Sequence, residues 1–146
     1  MLKKIKLDIE SHIDSLNEQG LPEGETESNI SSFTGVMKIG EDEIAVSYKE
    51  VSENGTVNCT VVSDGERVTV RRNGAIVSVM VFDEKEPFRT IYTVPPYKFD
   101  MEINTRGLSS TLSEHGGAID ILYDMEIGGM TRTAKMKITV KEVSNV

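Results

Sequence analysis

Residues 54–74 have the sequence NGTVNCTVVSDGERVTVRRNG, which contains three turn signals separated by two short stretches. Asn54-Gly55, Asp64-Gly65 and Asn73-Gly74 each suit a two-residue hairpin turn of type I′, because both central residues of that turn have positive φ. The signals lie nine or ten residues apart, and apolar residues alternate with polar ones between them. This spacing predicts an antiparallel meander of short strands.

The same two-residue alternation continues on both sides of this region. Over 4–10, apolar residues alternate with charged ones, which predicts a strand rather than a helix. The polar stretch that follows contains two glycines and a proline, and it predicts a loop. We therefore predict a single domain over 1–146, with an N-terminal strand at 1–16, a loop at 17–27 and a hairpin meander at 28–143.

The predicted fold class is all-β, an antiparallel meander of about ten strands closed into a barrel, since closure removes exposed sheet edges. A two-sheet β-sandwich would show the same pattern and is the alternative. Gly35 predicts a bulge or bend, and Gly107 with Ser109-Ser110 predicts an interruption. Residues 76–82 are apolar on both faces, so we expect the N-terminal segment or a partner chain to cover them.

Composition excludes several classes of function. The 146 residues carry 24 acidic and 16 basic side chains, a net charge of −8, which disfavours binding to nucleic acid or to an anionic membrane. Cys59 is the single cysteine, so no internal disulfide is expected. No apolar stretch approaches the roughly 20 residues of a membrane span, and the N-terminus does not resemble a signal peptide. We therefore expect a cytoplasmic protein.

Four parts of the chain resemble one protein family. These are RNGAI at 72–76, Phe82, Tyr92 and above all GAIDILYDMEIG at 117–128. With them the chain resembles the YwiB-like family of small uncharacterised bacterial proteins, from about residue 28 to the end. The resemblance implies a calycin-type β-barrel, similar in architecture to lipocalins, and it implies no activity. The chain lacks tryptophan, so the usual Gly-x-Trp motif of lipocalins is missing.

No residue pattern predicts catalysis. His12 and His115 are the only histidines, and with Cys59 they are too few for a zinc site unless carboxylates are recruited. His115 lies in a predicted turn and Cys59 lies in mid-strand, so we interpret them as a solvated histidine and a core thiol. We therefore expect no enzyme activity, no cofactor and no metal.

The apolar faces of the strands carry the candidate ligand-binding residues. Methionine adapts to irregular space, and tyrosine adds a hydroxyl group that needs a hydrogen-bond partner. Arg72 could meet an anionic head group at the barrel mouth. If the barrel is hollow, these residues predict a binding protein for a small, mostly apolar ligand; if it is filled, a structural or protein-interaction module, including a homodimer, is the alternative. The candidates are Tyr48, Arg72, Met80, Tyr92, Met101, Tyr123, Met125 and Met136.

Overall fold

A computed structural model describes residues 2–17 and 19–143. These residues form ten β-strands and no helix. This confirms the prediction of an all-β chain of about ten strands. The strands are β1 (Leu2–Leu16), β2 (Pro22–Ile39), β3 (Ile44–Ser52), β4 (Gly55–Ser63), β5 (Val68–Gly74), β6 (Ser78–Phe82), β7 (Phe88–Val94), β8 (Tyr97–Ser110), β9 (Gly116–Ile127) and β10 (Met130–Glu142).

All ten strands form one antiparallel sheet in the order β6-β5-β4-β3-β2-β1-β10-β9-β8-β7. The N-terminal strand β1 lies in the middle of this order, where it pairs with both β2 and β10. The two ends of the sheet meet beside β6 and β7, where Val77 and Thr93 exchange two backbone hydrogen bonds of 2.9 Å. The sheet is thus a nearly closed barrel, which confirms the predicted architecture.

The first loop is shorter than the predicted span of 17–27. β2 begins at Pro22, which pairs with Leu16, so the connection is confined to the few residues between them. Residues 21–30 are all exposed, because this part of the β1–β2 hairpin buries neither of the faces of β2. A strand with no buried face shows no apolar alternation, and the sequence pattern therefore resembled a loop.

Two of the three predicted turns of 54–74 occur near the predicted places, at 53–54 and 64–67, but neither is of type I′. No described residue other than glycine has positive φ, whereas type I′ requires it at both central positions. Asn73-Gly74 is not a turn at all: Gly74 stays in the β4–β5 ladder opposite Val57, and the chain reverses at 75–77. A Cβ atom on Gly74 would lie 2.2 Å from the Thr56 carbonyl oxygen, so close packing explains this glycine.

Three further details correct the sequence analysis. Gly107 does not interrupt β8, which runs to Ser110 with only a register shift between Thr105 and Gly107. Gly35 is not a bulge, because the β1–β2 register continues through it unshifted. The N-terminal segment does not cover residues 76–82, because β1 pairs with β2 and β10. On the outer face of residues 76–82, Val77 is 43% exposed.

Candidate ligand-binding cavity

The barrel interior is packed at one end and hollow at the other. At the packed end, inward-facing side chains such as Phe82, Met37 and Val68 are 0% exposed. The ring of Phe82 meets that of Tyr123 edge-on, with 4.8 Å between centroids and 62° between planes. Tyr123 also lines the hollow end, so this pair of rings forms part of the boundary between the two halves.

The hollow end contains a cavity of about 810 Å³. Side chains from nine of the ten strands line it, all except β4. This volume lies within the roughly 300–1,000 Å³ that small-molecule sites occupy in proteins. The lining is mostly apolar near the packed end, where Ile9, Met101 and Met136 lie, and it includes hydroxyl and charged groups towards solvent.

Seven of the eight residues predicted from the sequence line this cavity. The exception is Tyr48, which is buried (5% exposed) and packs its ring 4.7 Å from that of Phe33, a residue of the cavity wall. Alternation along each strand brings the predicted side chains together, because they share the inward face of a curled sheet. The seven are Arg72, Met80, Tyr92, Met101, Tyr123, Met125 and Met136.

The wall of the cavity is interrupted between β2 and β3. These strands pair only over residues 35–39 and 44–48, and their continuations separate from each other. Asn29 and Ser31 line the cavity from β2, and Glu50 and Ser52 line it from β3. We call this gap, bounded by residues 29–33 and 50–52, the β2–β3 slot.

Apolar side chains continue beyond the cavity towards solvent. Phe99 pairs with Tyr92 across the β7–β8 ladder and is two residues from Met101, so it shares their inward face. Tyr97 follows on the same face and is 66% exposed, and Met130 on β10 is 49% exposed. Val94, Tyr97, Phe99 and Met130 together are called the apolar rim.

Arg72 is the predicted residue with the most informative electrostatic surroundings. Its Nη2 atom lies 3.9 Å from Glu50 Oε1, longer than a hydrogen bond, and the two side chains are each 29% exposed. Burial alone lowers the pKa of Arg72, but Glu50 and the phenols of Tyr48 and Tyr92 raise it, and the net effect is a raised pKa. The guanidinium therefore stays charged inside the barrel.

Burial raises the pKa of both Tyr48 and Tyr123. The charge of Arg72 opposes this rise in each case but does not cancel it. Burial likewise raises the pKa of the Cys59 thiol, with Glu50 adding to the rise. These groups are therefore neutral hydroxyl and thiol groups at physiological pH.

Sequence analysis missed Arg132, Glu50 and Phe33, which all line the cavity. Arg132 could have been found, because it precedes Ala134 and Met136 on the same alternating face of β10. Glu50 similarly continues the face of Tyr48. Charged residues at the ends of apolar faces resemble solvent-exposed strand ends, so the pattern alone did not single them out.

The residues weighed for catalysis do not converge. His115 is exposed, and its ring nitrogens lie 3.3 Å from Glu114 and 3.7 Å from Glu142. His12 is on β1, where it contacts Ser28 and Glu10. Cys59 is buried and free. Among residues 2–17 and 19–143, no three histidine, cysteine or carboxylate side chains are grouped to hold a metal ion.

A separate concavity of about 610 Å³ lies across β1, β10, β9 and β8. Its lining combines charged side chains of both signs, such as Lys135 and Asp120, with apolar ones, such as Leu108 and Leu122. The predicted ligand-binding residues other than Met136 are absent from its lining. We therefore assign the candidate site to the larger interior cavity.

In the described part of the chain, no helix has the length and apolar content needed to cross a membrane.

Comparison with known proteins gives consistent results. Residues 13–140 match the family described as "Domain of unknown function (DUF1934)". The uncharacterized β-barrel protein YwiB of Bacillus subtilis (strain 168) is 31% identical over 96 residues, which cover 65% of this chain and 67% of that protein. The crystal structure of the ywiB protein from Bacillus subtilis superposes with a TM-score of 0.84 at 24% identity, over 98% of this chain and 94% of that one. The chain therefore belongs to the DUF1934 family, and it has the β-barrel fold that its resemblance to YwiB-like proteins predicted.

Proposed function

We propose that this protein binds a small, mostly apolar ligand in the hollow half of its barrel and has no catalytic role. The cavity of about 810 Å³ carries the proposal. The same barrel fills its other half with side chains that are 0–1% exposed, so the fold is able to close its interior. Binding sites for small molecules are typically concave and mostly apolar, with a few polar groups that orient the ligand, and the lining of this cavity combines both.

The side chains of the cavity support a ligand of varied shape. Met80, Met101, Met125 and Met136 contribute flexible thioether chains, which adapt to irregular apolar surfaces. Tyr92 and other tyrosines add ring faces with a polar end. We expect this binding to take place in the cytoplasm, as the composition predicts.

The β2–β3 slot and the apolar rim support a route of entry. The slot leaves residues 29–33 and 50–52 without a direct ladder between them, so entry there would break no strand pairing. On other strands, the rim offers exposed apolar surface at the barrel mouth, with Tyr97 at 66% and Phe99 at 39% exposure. An incoming apolar molecule would therefore leave water gradually.

The test is titration of the full chain with Nile red, a neutral dye whose fluorescence rises in apolar surroundings. We expect saturable binding of one dye per chain. Met125→Trp and Ser31→Trp, each adding bulk at the cavity wall, should weaken binding at least about tenfold. Ile91→Trp is the matched control, because Ile91 is 54% exposed, lies outside the apolar rim and does not line the cavity.

Circular dichroism of each variant establishes that it is folded before its binding is compared. Absence of saturable dye binding to the wild-type chain would contradict the proposal. Equal affinity of the Met125→Trp, Ser31→Trp and Ile91→Trp variants would also contradict it, since the dye would then bind elsewhere.

Self-association through the apolar rim is a second candidate function. The observation that favours it is the exposure of Tyr97 and Met130 on one side of the barrel mouth. Large exposed apolar patches commonly mark interfaces. Sedimentation velocity would show a dimer for the wild-type chain and a monomer for Tyr97→Ser. A monomer for both chains over the micromolar range counts against this function.

A further inference from the structure

Two arginines line the cavity from opposite walls. Arg72 is on β5 and Arg132 is on β10, and both are among its lining residues. In the sheet order β5 is second and β10 is seventh of ten strands, so they face each other across a nearly closed barrel. Arg132 shares its face of β10 with Ala134, which is 2% exposed, and this places the residue on the inward side.

Both guanidinium groups lack full hydrogen bonding within the protein. The Nε atoms of Arg72 and Arg132 are buried and have no hydrogen-bond partner among the described residues. The carboxylate nearest to Arg132 Nη1 is Glu27 at 3.9 Å, and that of Arg72 is Glu50 at the same distance. Neither distance is a hydrogen bond, so donors of both arginines remain available.

The ion pair of Arg132 with Glu27 is weaker than that of Arg72 with Glu50. The side chain of Glu27 is 70% exposed, whereas that of Arg132 is 25% exposed, so water screens this pair. Glu50 is 29% exposed and lines the cavity itself. Arg132 is therefore the more available of the two charges.

The cavity also differs in charge from the rest of the molecule. Its charged lining residues are Arg72, Arg132 and Glu50, which sum to +1, while the whole chain carries −8. A partly buried guanidinium with unused donors is costly unless an acceptor reaches it. Arginine presents a planar set of donors that matches the paired oxygens of a carboxylate or a phosphate.

We propose that the ligand of this cavity is an amphipathic anion whose carboxylate or phosphate head is bound by Arg132, with Arg72 as a second donor. This inference rests on the proposed function, since it assigns the chemistry of the same ligand. The methionines and Ile9 contact the apolar body, while the head lies towards the polar wall of the cavity. A neutral molecule of the same length would leave the arginine donors unused.

Isothermal titration of the full chain with three ligands that carry the same eight-carbon alkyl chain tests this assignment. Nonanoate, octyl phosphate and 1-octanol share this chain and differ only in their heads. We expect both anions to bind at least about tenfold more tightly than 1-octanol, as one charge-assisted hydrogen-bonded contact requires. Whichever anion binds more tightly identifies the head group as a carboxylate or a phosphate.

Arg132→Gln should bring the affinity for the preferred anion down to that for 1-octanol while leaving 1-octanol binding unchanged. Arg72→Gln should reduce the same difference to a smaller extent. Arg106→Gln is the matched control, because Arg106 is 56% exposed, pairs with Asp124 at 3.5 Å and does not line the cavity. It should keep the wild-type preference.

If 1-octanol binds the wild-type chain as tightly as both anions, the anion assignment is overturned while binding of apolar ligands stands. If Arg132→Gln and Arg106→Gln retain the same preference for the anion, Arg132 is not its receptor and the assignment is also overturned. If neither the three ligands nor Nile red bind, the proposed function itself is overturned.

Discussion

Gly35 is a position where a single added methyl group should damage the barrel wall next to the cavity. It pairs with Tyr48 at the end of the short β2–β3 ladder, next to the β2–β3 slot. A Cβ atom there would lie 2.3 Å from the Ser47 carbonyl oxygen and 3.3 Å from Tyr48 Cβ. Real contacts of this kind start near 3.0 Å, so Gly35→Ala must push β2 and β3 apart.

The expected loss in the free energy of unfolding combines two destabilising contributions and one stabilising contribution. Overpacking of a tight site costs about 1–3 kcal/mol, and a stretched backbone hydrogen bond costs about 1 kcal/mol. Replacing glycine with alanine recovers about 0.4–1 kcal/mol through the lower entropy of the unfolded chain. We expect Gly35→Ala to lower the free energy of unfolding by about 2 kcal/mol. For a chain of this size, that is a fall in Tm of roughly 4–8 °C.

Urea unfolding followed by far-UV circular dichroism, with Tm from calorimetry, measures the effect. Gly107→Ala is the matched control, because the nearest atom to its added Cβ is Leu122 Cβ at an ordinary 3.8 Å. The control should raise the free energy of unfolding by about 0.4–1 kcal/mol, because it gains the entropic contribution without the steric clash. A wild-type Tm for Gly35→Ala, or equal losses for both variants, would refute the steric reasoning.

Two further predictions concern the interior. Phe82→Ala, at a side chain that is 0% exposed, should lower the free energy of unfolding in urea by about 3–5 kcal/mol. Met125→Ala, on the half-buried cavity wall, should lower it by less than about 1.5 kcal/mol. Equal losses would mean that the two halves are packed alike. The free energy of unfolding should be unaffected by these groups below about pH 9 and should fall at higher pH. In the unfolded chain Cys59, Tyr48 and Tyr123 lose their protons near their ordinary pKa values of 9.0 and 10.0, whereas burial raises their pKa values in the folded chain. Deprotonation therefore favours the unfolded chain. Tyr48→Phe should make the decline of Tm between pH 9 and 11 shallower, and an unchanged slope would show that its burial is not responsible.

Much of the fold could be predicted because most strands bury one face and expose the other. Strands such as β4 and β9 bury every second residue, as Cys59 and Val61 or Ile119 and Ile121 do, and this leaves a period of two in the sequence. The first nine residues of β2 bury neither face, so nothing in the sequence distinguished them from a loop. Turn type was also beyond the local pattern, since register and packing decided which glycine took positive φ.

The candidate site was predictable in its apolar part and less so in its polar part. Met125 and Tyr123 extend alternating faces that are apolar throughout, so their inward direction followed from their neighbours. Arg132 continues the alternating face of Ala134 and Met136, so its direction could be predicted from its neighbours. Its place inside the cavity could not, because a charged residue at the end of an apolar face resembles a solvent-exposed strand end.

Because the interior is divided into a packed half and a hollow half, different residues determine the stability of the fold and the properties of the cavity. Substitutions around Phe82 and Val68 affect the packed core, whereas substitutions around Met125 and Arg132 affect the volume and charge of the cavity. Selection can therefore alter one property with little effect on the other. The barrel is for this reason a suitable scaffold for engineering new small-molecule sensors, in which the hollow half is redesigned and the packed half is left intact.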